Sequence, residues 1–233
     1  MKVDITALFV CVDDFCKLYQ KALRSYSLPK SPKRNRSGYL SLSEMLFIQI
    51  LYHFSAYKDF KHYYLYGIVI EHRDKFNKLP CYQRFVQLKQ ELFMPLVLLL
   101  DCLKGNPTGI YFADSTALKV CNNKRISTNK VFEPLAARGK SSIGWFYGLK
   151  LHLIISNKGE VMAAKITPGN TDDRRVLTSL LKGLQGKCYA DKGYISQKLF
   201  KRLWQEGMHL ITGIRKNMKN YLMPIYDKWL LRK

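Results

Sequence analysis

At 233 residues the chain has room for one large domain or two small ones, each with a real core. Hydrophobic residues make up 47% and aromatics 13%, which excludes wholesale disorder, while 39 Lys/Arg against 17 Asp/Glu, a formal net charge of +22, is too skewed for an ordinary metabolic enzyme. The surplus suits a densely negative partner, DNA or RNA before a membrane, and the longest apolar run, Leu92 to Leu100, contains Pro95 and is too short to span a bilayer.

The first hundred residues read as helical. From Asp4 to Arg24, Leu8, Phe9, Val12, Phe15, Leu18 and Tyr19 recur at helical spacing. A stretch with Pro29, Pro32, Lys33, Arg34, Asn35, Arg36 and Gly38 breaks it, and reads as a basic, mobile linker. Ser41-Leu-Ser-Glu44 is a capping box, and Phe47, Ile50, Leu51 and Phe54 make one helical face, predicting a helix over about 42–56. Further helices are expected over roughly 58–76 and from Cys81 to about Leu103. Short helices with basic residues between them fit a helix-turn-helix-like DNA-binding bundle or, equally, a helical docking domain with solvated charges.

Around Gly105-Asn-Pro-Thr-Gly109 the pattern changes to alternation, so the expected domains are 1–105, a helical DNA-binding region, and 106–233. The second is the more basic: residues 1–105 carry 16 Lys/Arg and 9 Asp/Glu, residues 106–233 carry 23 and 8. Strands are expected at Ile110 to Ala113 and Trp145 to Ile155, the latter with Tyr147, Leu149, Leu151 and Leu153 on one face and Lys150 and His152 on the other. A turn at Ser156-Asn-Lys-Gly159 leads to a strand at Val161 to Thr167. Thr171 is positioned to cap a helix with Asp172 and Asp173 in its first turn. A strand at Lys187 to Ala190, a helix from Ser196 with Leu199, Phe200, Leu203 and Trp204 inward, and a strand at Met208 to Thr212 complete a mixed α/β sheet. The cysteines (11, 16, 81, 102, 121 and 188) show no zinc spacing and read as reduced thiols of a cytosolic protein, mostly filling the core.

Two strands run into an aspartate, Ile110-Tyr-Phe-Ala-Asp114 and Cys188-Tyr-Ala-Asp191. A carboxylate at the end of a buried strand is costly unless a cation or hydrogen bond meets it. Two of them in a basic chain point to Mg²⁺ held over a polyanion, the chemistry of cutting and joining nucleic acid. Asp172 and Asp173 read instead as helix-dipole partners, Glu160 as a turn residue, Glu206 as a helix end and His152 as a sheet-face residue. Lys124, Arg125, Lys130, Arg138 and Lys140, in an irregular stretch between the first two strands, and Arg215, Lys216 and Lys219, after the last, are the candidate phosphate contacts.

The order and spacing of these motifs resemble the DDE transposases of bacterial insertion sequences. Carrying the resemblance are Phe112-Ala-Asp114-Ser-Thr116, Gly144-Trp-Phe-Tyr-Gly148-Leu-Lys-Leu-His152, Thr167-Pro-Gly-Asn-Thr-Asp-Asp-Arg174, Ala190-Asp191-Lys-Gly-Tyr194 and Arg215-Lys-Asn-Met-Lys219. The resemblance implies an RNase H-like catalytic core in which Asp114 and Asp191 match the first two acids of the D-D-E triad. It implies two Mg²⁺ (or Mn²⁺) ions, double-stranded DNA (element ends and target) as partner, a homo-oligomer when active, and a cytoplasmic, nucleoid-associated location. In that family a glutamate follows on a helix beyond a Leu-Arg-Lys segment, whereas this sequence ends at Leu231-Arg-Lys233. The expectation is therefore a core lacking its last helix. The alternative is a catalytically inactive DNA-binding remnant that binds element ends or inhibits an intact transposase. A resolvase or RNase H-type nuclease fits the acids but not the whole motif order.

Overall fold

The computed structural model describes residues 4–26, 38–141, 144–214, 218 and 223–232. They fall into two compact units, Met1–Cys102 and Leu103–Lys233. The basic stretch around Pro29 to Arg36 lies outside the described residues.

The first unit is helical. Its helices are α1 (Ile5–Tyr26), α2 (Leu42–Tyr52), α3 (Phe60–His62), α4 (Tyr82–Leu88) and α5 (Phe93–Cys102). The capping box forms as the sequence predicts: the Glu44 amide donates to Ser41 Oγ at 3.2 Å and the Ser41 amide to Glu44 Oε2 at 2.6 Å. The single helix expected over 58–76 is instead three windings, with α3 opening into a π-helical segment, Tyr63–Glu71, and then a 3-10 turn, Arg73–Lys75. The wider π winding turns Tyr63, Tyr64, Gly67 and Ile68 all inward, where they meet Leu46, Ile48, Phe85 and Leu92 in one core. The helix expected from Cys81 is likewise jointed, by a 3-10 segment at Lys89–Leu92. Pro95 is the reason: its ring would clash with the carbonyl four residues back, so it is tolerated only in the first turn of a new helix, α5.

The second unit is a six-stranded mixed sheet. Its strands are β1 (Ile110–Cys121), β2 (Ala137–Ser141), β3 (Gly144–Ser156), β4 (Val161–Pro168), β5 (Gly186–Ala190) and β6 (Met208–Thr212). β3 pairs antiparallel with β1, β5 lies parallel to β1 on its other side, and β6 parallel to β5. Both β2 and β4 pair with β3 antiparallel, β2 along residues 144–148 and β4 along 149–155. An antiparallel meander continued by two parallel strands, with helices α6 (Asp173–Leu180) and α7 (Gln197–Gln205) in the crossovers, is an RNase H-like mixed α/β fold.

Sharing one strand between two partners requires close backbone approach. A Cβ on Gly148 would run into the Leu118 carbonyl oxygen, where β1 is bulged between Lys119 and Cys121. On the other side the Gly169 amide donates to the Gly148 carbonyl at 3.0 Å, and a Cβ on Gly139 would strike Gly169. The basic segment 122–136 leaves β1 next to Cys121, paired with Tyr147, and re-enters at Ala137, paired with Gly148. Its two ends thus flank the same short piece of β3.

The main core lies between the sheet and α6 and α7, and contains Tyr111, Ala113, Ile154, Val176, Leu177, Cys188, Leu199, Leu203 and Leu210. A smaller cluster on the other face joins Tyr189, Ile211 and Leu230. Leu230 comes from a six-residue helix, α8 (Ile225–Leu230), where the sequence reading expected none.

Other details depart from expectation for identifiable reasons. β1 does not end at Ala113, because pairing with β3 carries it on to Cys121 after the β5 pairing stops. Asp172, not Thr171, caps α6, accepting from the Arg174 amide at 3.0 Å. On β3 the more buried face is the one with His152 (1% exposed) and Ile154, since α6 covers that side. Phe200 and Trp204 lie one position round α7 from the buried Leu199 and Leu203, and so stay 40% and 59% exposed, stacked on each other and against His209. Of the cysteines only Cys16 and Cys188 are buried. Among the described residues no helix is long and apolar enough to cross a membrane.

Candidate active site

The parallel register of β1 and β5 positions the two aspartates. Ile110 pairs with Lys187, Tyr111 with Cys188, Phe112 with Tyr189 and Ala113 with Ala190. Asp114 and Asp191 come next, on adjacent strand paths about 5 Å apart. Phe112 and Tyr189, two residues before them, stack at 5.6 Å between ring centroids on the face they share. Asp114 and Asp191 are both exposed and both line one cavity of about 660 Å³, with Phe112, Tyr189, Lys192 and Gly213 among its walls.

Each carboxylate is oriented by its own backbone. Asp114 Oδ1 accepts from the Ser115 amide at 2.7 Å, and Asp191 Oδ1 from the Lys192 amide at 2.6 Å. Asp191 also caps the 3-10 turn Lys192–Tyr194 that ends β5. Asp114, by contrast, sits inside β1. The point where β5 lets go of β1, rather than a strand end, exposes its side chain.

The other acids near the sheet have different partners. Arg174 grips Asp172, with Nη2 2.6 Å from Oδ2. Asp173 accepts from Lys150 Nζ at 2.9 Å and lies 3.8 Å from His152 Nδ1. His152 Nε2 is 2.8 Å from Thr167 Oγ1, and burial, ahead of the opposing pull of Asp173, lowers its pKa. Among the described residues no cluster of three or more His, Cys, Asp or Glu could hold a metal ion.

The basic candidates do not gather at the aspartates. Lys124 and Arg125 lie in a 3-10 turn after β1 and Lys130 in the turns beyond, all exposed. Arg138 and Lys140 lie on β2 rather than in an irregular stretch, paired with Tyr147 and Trp145, with Lys140 over the Trp145 ring. Asp114 pairs with Leu153, so Arg138 is six residues up β3 from it, about 20 Å at strand rise. Arg215, Lys216 and Lys219 lie outside the described residues. Lys192, not singled out from the sequence, is the cation in the cavity wall among the described residues.

Asp227 on α8 was also missed. It is 3% exposed and accepts from Tyr189 Oη at 2.6 Å and Lys187 Nζ at 3.0 Å. Burial opposes its ionisation, but these two donors outweigh it and hold the carboxyl below its usual range. Pro224 ahead of the apolar Ile225 and Leu230 was the available signal. Removing the acid by Asp227→Ala orphans the buried Tyr189 hydroxyl, an expected loss of about 2 kcal/mol in denaturant unfolding at pH 7. A depressed carboxyl contributes stability above its unfolded pKa of about 3.9 and loses it as pH falls through the folded value. The difference between wild type and variant should therefore shrink from pH 5 to pH 3.

A family model described as "Transposase DDE domain" matches residues 104–233, more than half of the chain. A sequence comparison with curated proteins gives no match. Among solved structures, a piggyBac transposase synaptic complex with hairpin DNA is 15% identical with a TM-score of 0.45, the match covering 93% of this chain and 52% of that one. A Mos1 transposase paired-end complex with the left transposon end is 13% identical at a TM-score of 0.29, covering 84% and 66%. A Mos1 mariner paired-end complex with Mn is 11% identical at 0.28, covering 88% and 76%. The chain thus spans about half the length of the piggyBac transposase it matches.

Proposed function

The chain belongs to the transposase DDE domain family, and from that premise we propose that it cleaves DNA at the ends of an insertion sequence and joins them to target DNA, with Asp114 and Asp191 as its metal-holding carboxylates. The observation that carries this is the in-register pair Ala113–Ala190, which brings the two aspartates to one cavity wall within the matched segment.

The donor chemistry fits a hard divalent cation. Both groups are exposed carboxylates, each fixed by one backbone amide, and oxygen ligands of this kind suit Mg²⁺ or Mn²⁺ over softer metals. Held by Asp114 and Asp191, such an ion supplies charge stabilisation at the phosphate and a more acidic bound water or hydroxyl. The residues of the chain do the rest. The amides of Ser115 and Lys192 keep the carboxylates oriented, and Lys192 draws a phosphate toward the cavity. Lys124, Arg125, Lys130, Arg138 and Lys140 grip the DNA backbone away from the carboxylates, and Arg215, Lys216 and Lys219 add phosphate contacts, giving salt-dependent binding with little sequence preference. The helical unit before residue 103 adds a second DNA contact, and joining two ends calls for a homo-oligomer.

The test is strand transfer by the purified chain on a labelled duplex bearing the terminal repeats that flank its gene. A joined product that needs Mg²⁺ or Mn²⁺ and vanishes with chelator is the expected result. Duplex binding without product under either metal would overturn the enzymatic reading and leave a protein that occupies DNA ends without cutting them.

A further inference from the structure

Trp145 is the second residue of β3 and is 61% exposed. Alternation puts it on the same face of the strand as Leu153, which pairs with Asp114. Trp145 and Asp114 therefore share one face of the sheet, eight residues apart along β3, about 26 Å at strand rise. A lone exposed ring is ordinary on a protein surface; what distinguishes this one is its setting. Its backbone is held from both sides. Trp145 pairs with Lys140 of β2, and from the β1 side Asn123 Nδ2 donates to its carbonyl at 3.1 Å. The next residue, Phe146, is buried on the opposite face, where a Cβ on Gly139 would strike its ring. The indole is thus aimed outward from a fixed strand.

Cations surround it. Lys140 Nζ lies 5.8 Å from the ring centroid, and the indole, Arg138 and Asn123 line a cavity of about 310 Å³. Residues 117–148 carry six Lys/Arg against one acid, Glu133. A flat apolar ring calls for a flat π partner, and the flanking cations call for an anion; a nucleotide is both. Inside a duplex each base is already stacked on its two faces, so only an unpaired base can lie on the indole. A second copy of this chain, the other common occupant of an exposed tryptophan, would set this basic surface against another chain of formal charge +22.

We propose that Trp145 is the platform of a subsite for an unpaired base of the bound DNA: the indole stacks on the base, Arg138 and Lys140 take the phosphates beside it, and Asn123 holds the strand that carries the ring. This rests on the reading of DNA as the partner. The distance along β3 keeps the subsite apart from the carboxylates, so the base it takes belongs to a different nucleotide from the one whose phosphate reacts.

The test is equilibrium binding by the full chain, at one fixed salt concentration, of labelled probes: a short single strand, the same strand made abasic throughout, and the blunt duplex of its sequence. Trp145→Ala should weaken binding of the single strand about tenfold, the scale of losing one stacked base. The abasic strand and the duplex should stay within about twofold of wild type, because the phosphate contacts that hold them are untouched. Trp145→Phe, which keeps a ring, should recover most of the loss. Lys140→Gln should weaken every probe, since it removes a phosphate contact. Far-UV spectra and melting temperatures should confirm that folded proteins are being compared. Equal losses on every probe in Trp145→Ala, or none on any, sink the subsite while DNA binding stands. Dissociation of an oligomer in Trp145→Ala, seen by sedimentation with single-strand affinity unchanged, makes the ring a contact between copies and overturns the subsite as well. A wild-type chain that binds none of the probes removes DNA as the partner and the subsite with it.

Discussion

Asp114→Asn and Asp191→Asn should each reduce strand transfer by about three orders of magnitude, the scale of removing a group that stabilises transition-state charge. Both substitutions keep side-chain size and remove only the negative charge. Both positions are exposed and contribute one hydrogen bond to the next amide, which an asparagine oxygen can still accept. Stability should therefore stay within about 0.5 kcal/mol of wild type. On the proposed reading, duplex affinity should hold or rise slightly, since a negative charge is lost from the cavity that would receive the DNA. The discriminating pair of measurements is product yield and binding on the same labelled duplex. Wild-type transfer by either variant means that the carboxylate in question is not part of the reaction.

The second large effect is structural. Gly148→Ala should cost about 3 kcal/mol or prevent folding of the second unit, because an added methyl group meets backbone rather than a side chain that can swing away. The obstacle is the Leu118 carbonyl at the β1 bulge, and relieving it means prising β1 from β3 at the end of their ladder away from the Asp114–Leu153 pair. Gly193→Ala is the matched control. A Cβ there has nothing within 4 Å, so it should change stability little despite lying two residues from Asp191. Equal denaturant midpoints for the two variants would show that the close approach at Gly148 is not what that position requires.

Much of the second unit was readable before any coordinates. Period-two alternation located β3 and β4, the turn at Ser156 to Gly159 joined them, and Gly207 marked the end of α7 with a positive φ of 81°. Local chemistry decides such features, so local sequence reveals them. What escaped depends on partners distant in sequence. β1 runs to Cys121 only because β3 lies beside it, and β2 exists only because β3 has a vacant edge. Phe200 and Trp204 looked inward from composition, yet the position of the sheet under α7 lets only Leu199 and Leu203 face it. The aspartates could be named from the two strand motifs, but their common cavity follows from a parallel pairing across 77 residues that no local pattern encodes. Asp227 was overlooked because its partners, Lys187 and Tyr189, lie 40 and 38 residues away.

The placement of segment 122–136 separates two kinds of change. Its ends leave from Cys121 and return at Ala137 on either side of β3, at consecutive register positions, which makes a graft point two strand spacings, about 10 Å, wide. Any loop that bridges that gap can be exchanged without shifting the ladder that carries Asp114, since the β3 pairing from Leu149 to Ser156 lies entirely beyond it. Descendants of such a chain can therefore diversify this exposed basic segment while inheriting the same pair of carboxylates, and a designer can swap it on the same terms.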